Sequence, residues 1–172
     1  MESRTKLLGH PIHPMLVVFP LGLLSSAVIG DVLYLLTGND GFATFAFFAI
    51  GIGVIGGLLA AVFGLLDWLA IPKDTRARRL GLVHGVGNVV VTGLFALSFL
   101  TRMGDVAYAP NLVPFVLALL GAGIAVVTAW IGGELVYRLS VGLDDGANLD
   151  APSSLSGEPA QPRGRMETGT RR

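Results

Sequence analysis

The sequence contains no cysteine among its 172 residues, which excludes disulfides, thiolate metal sites and iron–sulfur clusters held by this chain. Charge is nearly as scarce. Asp, Glu, Lys and Arg make up 14% of the residues, where a soluble domain carries about a quarter. There is no glycine-rich phosphate loop, nucleophile elbow or zincin motif, so the familiar signatures of nucleotide-binding and hydrolytic enzymes are missing. Apolar residues fill the chain instead, at 52% with a mean hydropathy of +0.69.

These residues are gathered into four runs almost free of charge, at 15–36, 42–71, 80–102 and 111–139. A helix needs about 20 residues, at about 1.5 Å each, to cross the hydrocarbon core of a bilayer. The pattern predicts an all-α integral membrane protein, a four-helix antiparallel bundle over residues 15–143. A polar entry segment, 1–14, precedes it, and its two His-Pro pairs disfavour helix before Met15. A tail at 144–172, rich in Asp, Gly, Pro, Ser and Arg, follows and is expected to be disordered. Such a chain makes one bundle without a second folded domain.

The formal net charge is zero, so placement matters more than the sum. Arg4 and Lys6 precede the first span, Lys73, Arg76, Arg78 and Arg79 crowd the loop between the second and third, and Arg138 with further arginines follows the fourth. Arg102 is the lone basic residue near the other two loops. The positive-inside rule then places both termini and the basic loop in the cytoplasm. That loop reads as a topogenic signal rather than a nucleic-acid site. The first run is longer than a signal-peptide core, so it reads as a retained span.

Small residues recur within the spans: Gly22, Ser26 and Gly30 in the first, Gly53, Gly57, Ala60, Gly64 and Asp67 in the second. Gly81, Gly85, Asn88, Thr92 and Ala96 do so in the third, and Gly121, Ala125, Ala129 and Gly133 in the fourth. Lipid gives helices no hydrophobic reason to associate, so small faces that permit close packing are expected to point inward and could also support an oligomer. Pro20 removes the donor to the Leu16 carbonyl and predicts a kink. No short repeat period is visible. The two helical hairpins carry different polar residues, which gives an inverted-repeat transporter no support.

An ionisable group within a span is costly enough to require a reason. His84, about one turn inside the third run, shares its stripe with Asn88 and Thr92. Asp67 ends the matching stripe of the second. It could hydrogen-bond His84 and fix the imidazole tautomer, or cap the next helix, or pair with Arg76, Arg78 or Arg79. His10 and His13, each followed by proline, stand at the membrane surface. With His84 they could ligate a first-row transition metal, with Asp67 as a fourth ligand, or supply two axial ligands for haem b. The competing reading is that they anchor the first helix among headgroups. Glu134 and Arg138 have the spacing of a helical ion pair, close to Trp130 and Tyr137 at an interface. Asp31, toward the outer end of the first span, either pairs there or serves as a proton or ion waypoint.

The run Gly9-His10-Pro11-Ile12-His13-Pro14-Met15 through Val18-Phe19-Pro20 resembles the opening of a bacterial membrane family known as domain of unknown function 2231. The likeness continues through Gly30-Asp31, Gly64 to Asp67, Ile71-Pro72 with Thr75-Arg76, His84-Gly85 with Asn88, and Gly132 to Tyr137. It departs at Val18 and near Leu139, where relatives carry further histidines. The resemblance implies a four-span protein of the bacterial inner membrane. Because some members are fused to Rieske-type domains, it also implies a link to electron transfer. Three functions follow as expectations. The first is a non-enzymatic haem- or metal-binding module built from His10, His13, Asp67, His84 and Asn88 that serves a redox protein. The second is a small proton or solute transporter using Asp31, Asp67 and Glu134. The third is a scaffold without a ligand.

Overall fold

A computed structural model describes residues 1–161 of the chain. Its helices are α1 (Ile12–Leu16), α2 (Val18–Thr37), α3 (Asp40–Ala70), α4 (Arg76–Thr101) and α5 (Leu112–Gly133). Helix α5 continues as a π turn over Glu134–Arg138. Four segments are long and apolar enough to cross a membrane: Ile12–Thr37, Asp40–Ala70, Arg76–Thr101 and Val106–Arg138. The outer surface matches that solvent, since large apolar side chains such as Ile29, Ile55, Val89 and Val126 stand exposed.

Helix begins earlier than the His-Pro pairs suggest. Pro11 is the N-cap of α1 and Pro14 sits in its first turn, where a missing N–H costs nothing. Pro20 acts as expected: the helix breaks at Val17 and resumes as α2. Helix α4 also starts earlier than hydropathy indicates, at Arg76, because the Thr75 hydroxyl caps it by accepting from Arg78 N at 3.1 Å. Asn39 and Asn111 cap α3 and α5 in the same way. Arg78 then closes the preceding helix. Its Nη1 donates to the carbonyls of Trp68, Leu69 and Ile71, and its guanidinium stacks 4.2 Å above the Trp68 ring.

The core runs along the bundle axis through Leu24, Ala27, Ile50, Val91, Phe95 and Ala118. The inward faces differ from the expected stripes in α2 and α4. Gly22 and Gly85 meet nothing within 4 Å, while Gly30 packs as expected against Phe42, Phe45 and Ala46; the buried positions are Leu24, Ala27, Gly30 and Asp31 in α2 and Val91, Phe95, Ser98 and Arg102 at and beyond α4. A strict spacing of four drifts about 40° per step around a 3.6-residue helix, whereas alternating steps of three and four stay on one face. The glycines that do pack are tight: a Cβ on Gly53 would lie 2.6 Å from Leu24, and one on Gly121 2.8 Å from Phe95.

The ends are closed by less regular structure. Strands β1 (Lys6–Leu7) and β2 (His10–Pro11) form a small hairpin across Leu8 and Gly9, both with positive φ. The first residues tie to the segment after α5: Met1 N donates to Ser140 O at 3.0 Å, and Lys6 Nζ contacts both Glu2 and Asp144. The Lys6 ammonium holds the Glu2 carboxyl below its ordinary range, and Asp144 raises the Lys6 pKa. The tail expected to be disordered is therefore partly placed. Residues 144–161 follow a defined path with a 3-10 turn at Ser154–Ser156 against the hairpin, while the remainder of that expectation, 162–172, lies outside the described residues.

Candidate functional site

Two of the three histidines meet. His13, in the first turn of α1, and His84, about 12 Å along α4 from its start, have ring centroids 6.5 Å apart and planes at 85°. Each ring is held the same way by the other helix of its own hairpin. His13 Nδ1 lies 2.8 Å from Ala60 O in α3, and His84 Nδ1 lies 2.9 Å from Thr128 O in α5. A carbonyl only accepts, so each Nδ1 carries a hydrogen, and in the neutral ring Nε2 is the nitrogen with the lone pair.

Glycine makes both contacts possible. In a helix the side chain at i+4 leans back over the carbonyl of residue i, and here those positions are Gly64 and Gly132. A Cβ on Gly64 would sit 2.8 Å from His13 Cε1 and 2.9 Å from Nδ1, and one on Gly132 would sit 3.1 Å from His84 Cε1. Each imidazole occupies the space a side chain would fill. Sequence reading assigned Gly64 to helix packing alone; its spacing of four from Ala60, like that of Gly132 from Thr128, was the available signal.

Asn88 completes the cluster on the His84 side. Its Nδ2 donates to His84 O at 2.8 Å and lies 3.2 Å from His84 Nε2, and its Oδ1 accepts from Thr128 Oγ1 at 3.2 Å. Among the described residues His13 Nε2 makes no hydrogen bond.

The other candidates are elsewhere. His10 is exposed on the hairpin, 3.2 Å from Ser154 Oγ. Asp67 does not reach His84, cap α4 or pair with the basic loop. It accepts from Ser3 Oγ at 2.7 Å, Arg4 N at 3.0 Å and Thr5 Oγ1 at 3.4 Å, so it moors the entry segment. The four-ligand set His10, His13, His84 and Asp67 is accordingly not assembled, and among the described residues no group of three or more His, Asp or Glu is placed to hold a metal ion. Glu134 pairs with Arg76 at 3.1 Å rather than with Arg138, because the π turn shifts the register on which the four-residue spacing depends. An open cleft of about 630 Å³ at the α3–α4 loop, lined by Lys73, Asp74, Thr75, Arg78 and Arg79, stands apart from the histidines.

At the opposite end Asp31 is fully buried, and its two oxygens accept from Arg102 Nη1 and Nη2, both at 2.6 Å. Ser98 Oγ accepts from Nη2 at 3.1 Å and donates to Pro114 O at 2.7 Å. Arg102 is the residue sequence reading missed, being placed at the edge of a loop. Its signal was a single base at the same depth as a single intramembrane acid.

The family model described as a predicted membrane protein, DUF2231, matches residues 9–145. Comparison with curated proteins and with solved structures finds no match.

Proposed function

The chain belongs to the predicted membrane protein family DUF2231, and from that premise we propose that it is a haem-binding electron-transfer module of the bacterial inner membrane, with His13 and His84 as the residues that would hold the haem. The observation that carries the reading is the facing pair of imidazoles, one from each hairpin, each with Nδ1–H fixed on a backbone carbonyl. Orientation of this kind is the usual support for a ligating histidine, because it sets the tautomer and leaves Nε2 as the donor atom. The seats at Gly64 and Gly132 fit the donor set by letting both rings lie against helix backbone.

A bound haem would supply a one-electron ferric–ferrous couple. The chain's own residues would hold it: His13 and His84 by Nε2, with Asn88 turned away from His84 Nε2 to free that lone pair. The basic loop, through the positive-inside rule, supports a cytoplasmic side for this end of the bundle and both termini, where a soluble or membrane-bound redox protein would meet it. The transporter reading has less to stand on. Asp31, Asp67 and Glu134 are each engaged with different partners at separate places, and among the described residues no line of acids joins them.

The test is an oxidised and a reduced absorption spectrum of protein purified in mild detergent from haem-replete cells. Haem bands that shift on reduction, are lost in His13→Ala and in His84→Ala, and persist in His10→Ala are the expected result. A colourless preparation, or bands that survive both substitutions in folded protein, would overturn the assignment.

A further inference from the structure

Two contacts on the bundle axis join residues separated by the same interval. A shift of 71 positions carries His13 onto His84 and also carries Asp31 onto Arg102, and each of these residues touches its own counterpart. The interval extends to the packing between them: Leu24, Ala27 and Asp31 become Phe95, Ser98 and Arg102, all buried. For the second helix of each hairpin the interval is 68. It carries Ala46, Ile50, Gly53 and Ala60 onto Pro114, Ala118, Gly121 and Thr128, again all buried.

The contacts within each hairpin correspond as well. Leu24 packs on Gly53 as Phe95 packs on Gly121, His13 on Gly64 as His84 on Gly132, and the Ala60 carbonyl holds one ring as the Thr128 carbonyl holds the other. A residue that touches its own equivalent must lie on a twofold axis. Two such contacts, one at each end of helices that run in the same direction, place that axis along the membrane normal.

We infer that the four spans are two copies of one helical hairpin facing each other across this axis, and that Asp31–Arg102 is the contact that makes unlike copies pair. The inference stands whether or not the histidines bind haem. On an axis every position meets itself, so two identical hairpins would bring Asp against Asp or Arg against Arg in a buried place, where like charges exclude each other. One acid and one base turn that position into a bidentate pair, available only between the first hairpin and the second. At this one axis position the two copies had to become unlike, whereas the other, His13 on His84, stayed alike.

Symmetry makes a demand that an ordinary ion pair does not: the two charges should be exchangeable, together with the hydroxyl that supports the arginine. Ser98 lies four residues before Arg102, and its equivalent, four before Asp31, is Ala27. The Pro114 carbonyl that receives the Ser98 hydroxyl corresponds to the carbonyl of Ala46. The experiment uses the full chain in detergent, reading monodisperse yield by size exclusion and the melting temperature. Asp31→Arg and Arg102→Asp alone should each lower the yield of folded monomer more than tenfold, since each buries two like charges. The double exchange should recover most of that yield. Adding Ala27→Ser with Ser98→Ala should then raise the melting temperature above that of the double exchange. A double exchange no better than either single change, or a quadruple variant no more stable than the double, would overturn the inference.

Discussion

Replacing Gly64 by alanine probes the histidine seat in isolation. At an open site in a helix the same change gains up to about 1 kcal/mol from backbone propensity. Gly22 and Gly93, which meet nothing within 4 Å, should show that gain or no change. At Gly64 the added Cβ would lie 2.8 Å from His13 Cε1, and ordinary contact begins at 3.4 Å, so the ring must retreat by about 0.6 Å. The bond at stake, His13 Nδ1 to Ala60 O, is 2.8 Å long, and lengthening it by that amount takes it beyond useful hydrogen-bond geometry. Loss of the bond costs about 0.5–1.5 kcal/mol and overpacking about 1–3 kcal/mol. Set against the propensity gain, Gly64→Ala should destabilise by about 1–3 kcal/mol. Gly132→Ala should cost less, since its Cβ would stand 3.1 Å from His84. Thermal unfolding in detergent, followed by intrinsic tryptophan fluorescence, gives the comparison. The decisive control is the His13→Ala background, where the clash has no partner and Gly64→Ala should become neutral or stabilising. A penalty that persists there, or one equal to that of Gly22→Ala, would refute the seat.

Three further outcomes can be checked on the same preparation. Arg102→Ala leaves a fully buried carboxylate without its partner and should cost about 3–5 kcal/mol, whereas Glu134→Gln, which removes a pair with the exposed Arg76, should cost about 1 kcal/mol or less. Arg78→Ala removes three bonds to the end of α3 and the stacking on Trp68. It should lower stability by about 1–3 kcal/mol, and Arg78→Lys should restore only part of it because an ammonium lacks the planar fork. The entry segment should loosen at both pH extremes, as amide exchange over residues 1–10 would report. The Glu2 pKa is lowered, so its contribution is complete above the ordinary carboxylate range and fades as pH falls through the lowered value. That of Lys6 is raised, so its contribution is complete below 10.5 and fades as pH rises through the raised value. Lower protection at neutral pH than at either extreme, with each exchange rate divided by the intrinsic rate at the same pH, would contradict both.

Hydropathy is a property of long windows, and a bilayer imposes it on every span; the number and order of the helices were therefore legible in the sequence. Their rotations were less so. The Gly22–Ser26–Gly30 stripe held at Gly30, which packs on Phe45 and Ala46, but not at Gly22, because small residues occur on lipid-facing surfaces too and nothing local distinguishes a glycine that packs from one that does not. Pairings across helices were the least legible. Asp67 lay in the right half of the membrane for His84, but one turn of helix decided that it would face the entry segment instead. His84 with Asn88 was readable because four residues is a fixed geometric step along α4; His13 with His84 required knowing how the first and third spans pack against each other. Asp31 with Arg102 was implied by electrostatic cost alone, since two lone opposite charges at one depth leave few other solutions.

The separation of the two axial contacts constrains what the histidine pair can do. His13 and Asp31 are eighteen positions apart along one span, about 27 Å of helix, close to the full hydrocarbon thickness of about 30 Å. Each contact therefore pins the hairpins together at one face of the membrane, and the buried cluster between them is built on apolar side chains such as Leu24, Ile50 and Phe95. All three histidines of the chain belong to the end that carries the basic loop, so the half around Asp31 and Arg102 has no imidazole that could hold a haem. A redox centre on His13 and His84 would then accept and return its electron on one face. The chain would serve as a relay for a partner on the side of the basic loop, with the Asp31–Arg102 end acting as the rigid closure that holds the two imidazoles in register.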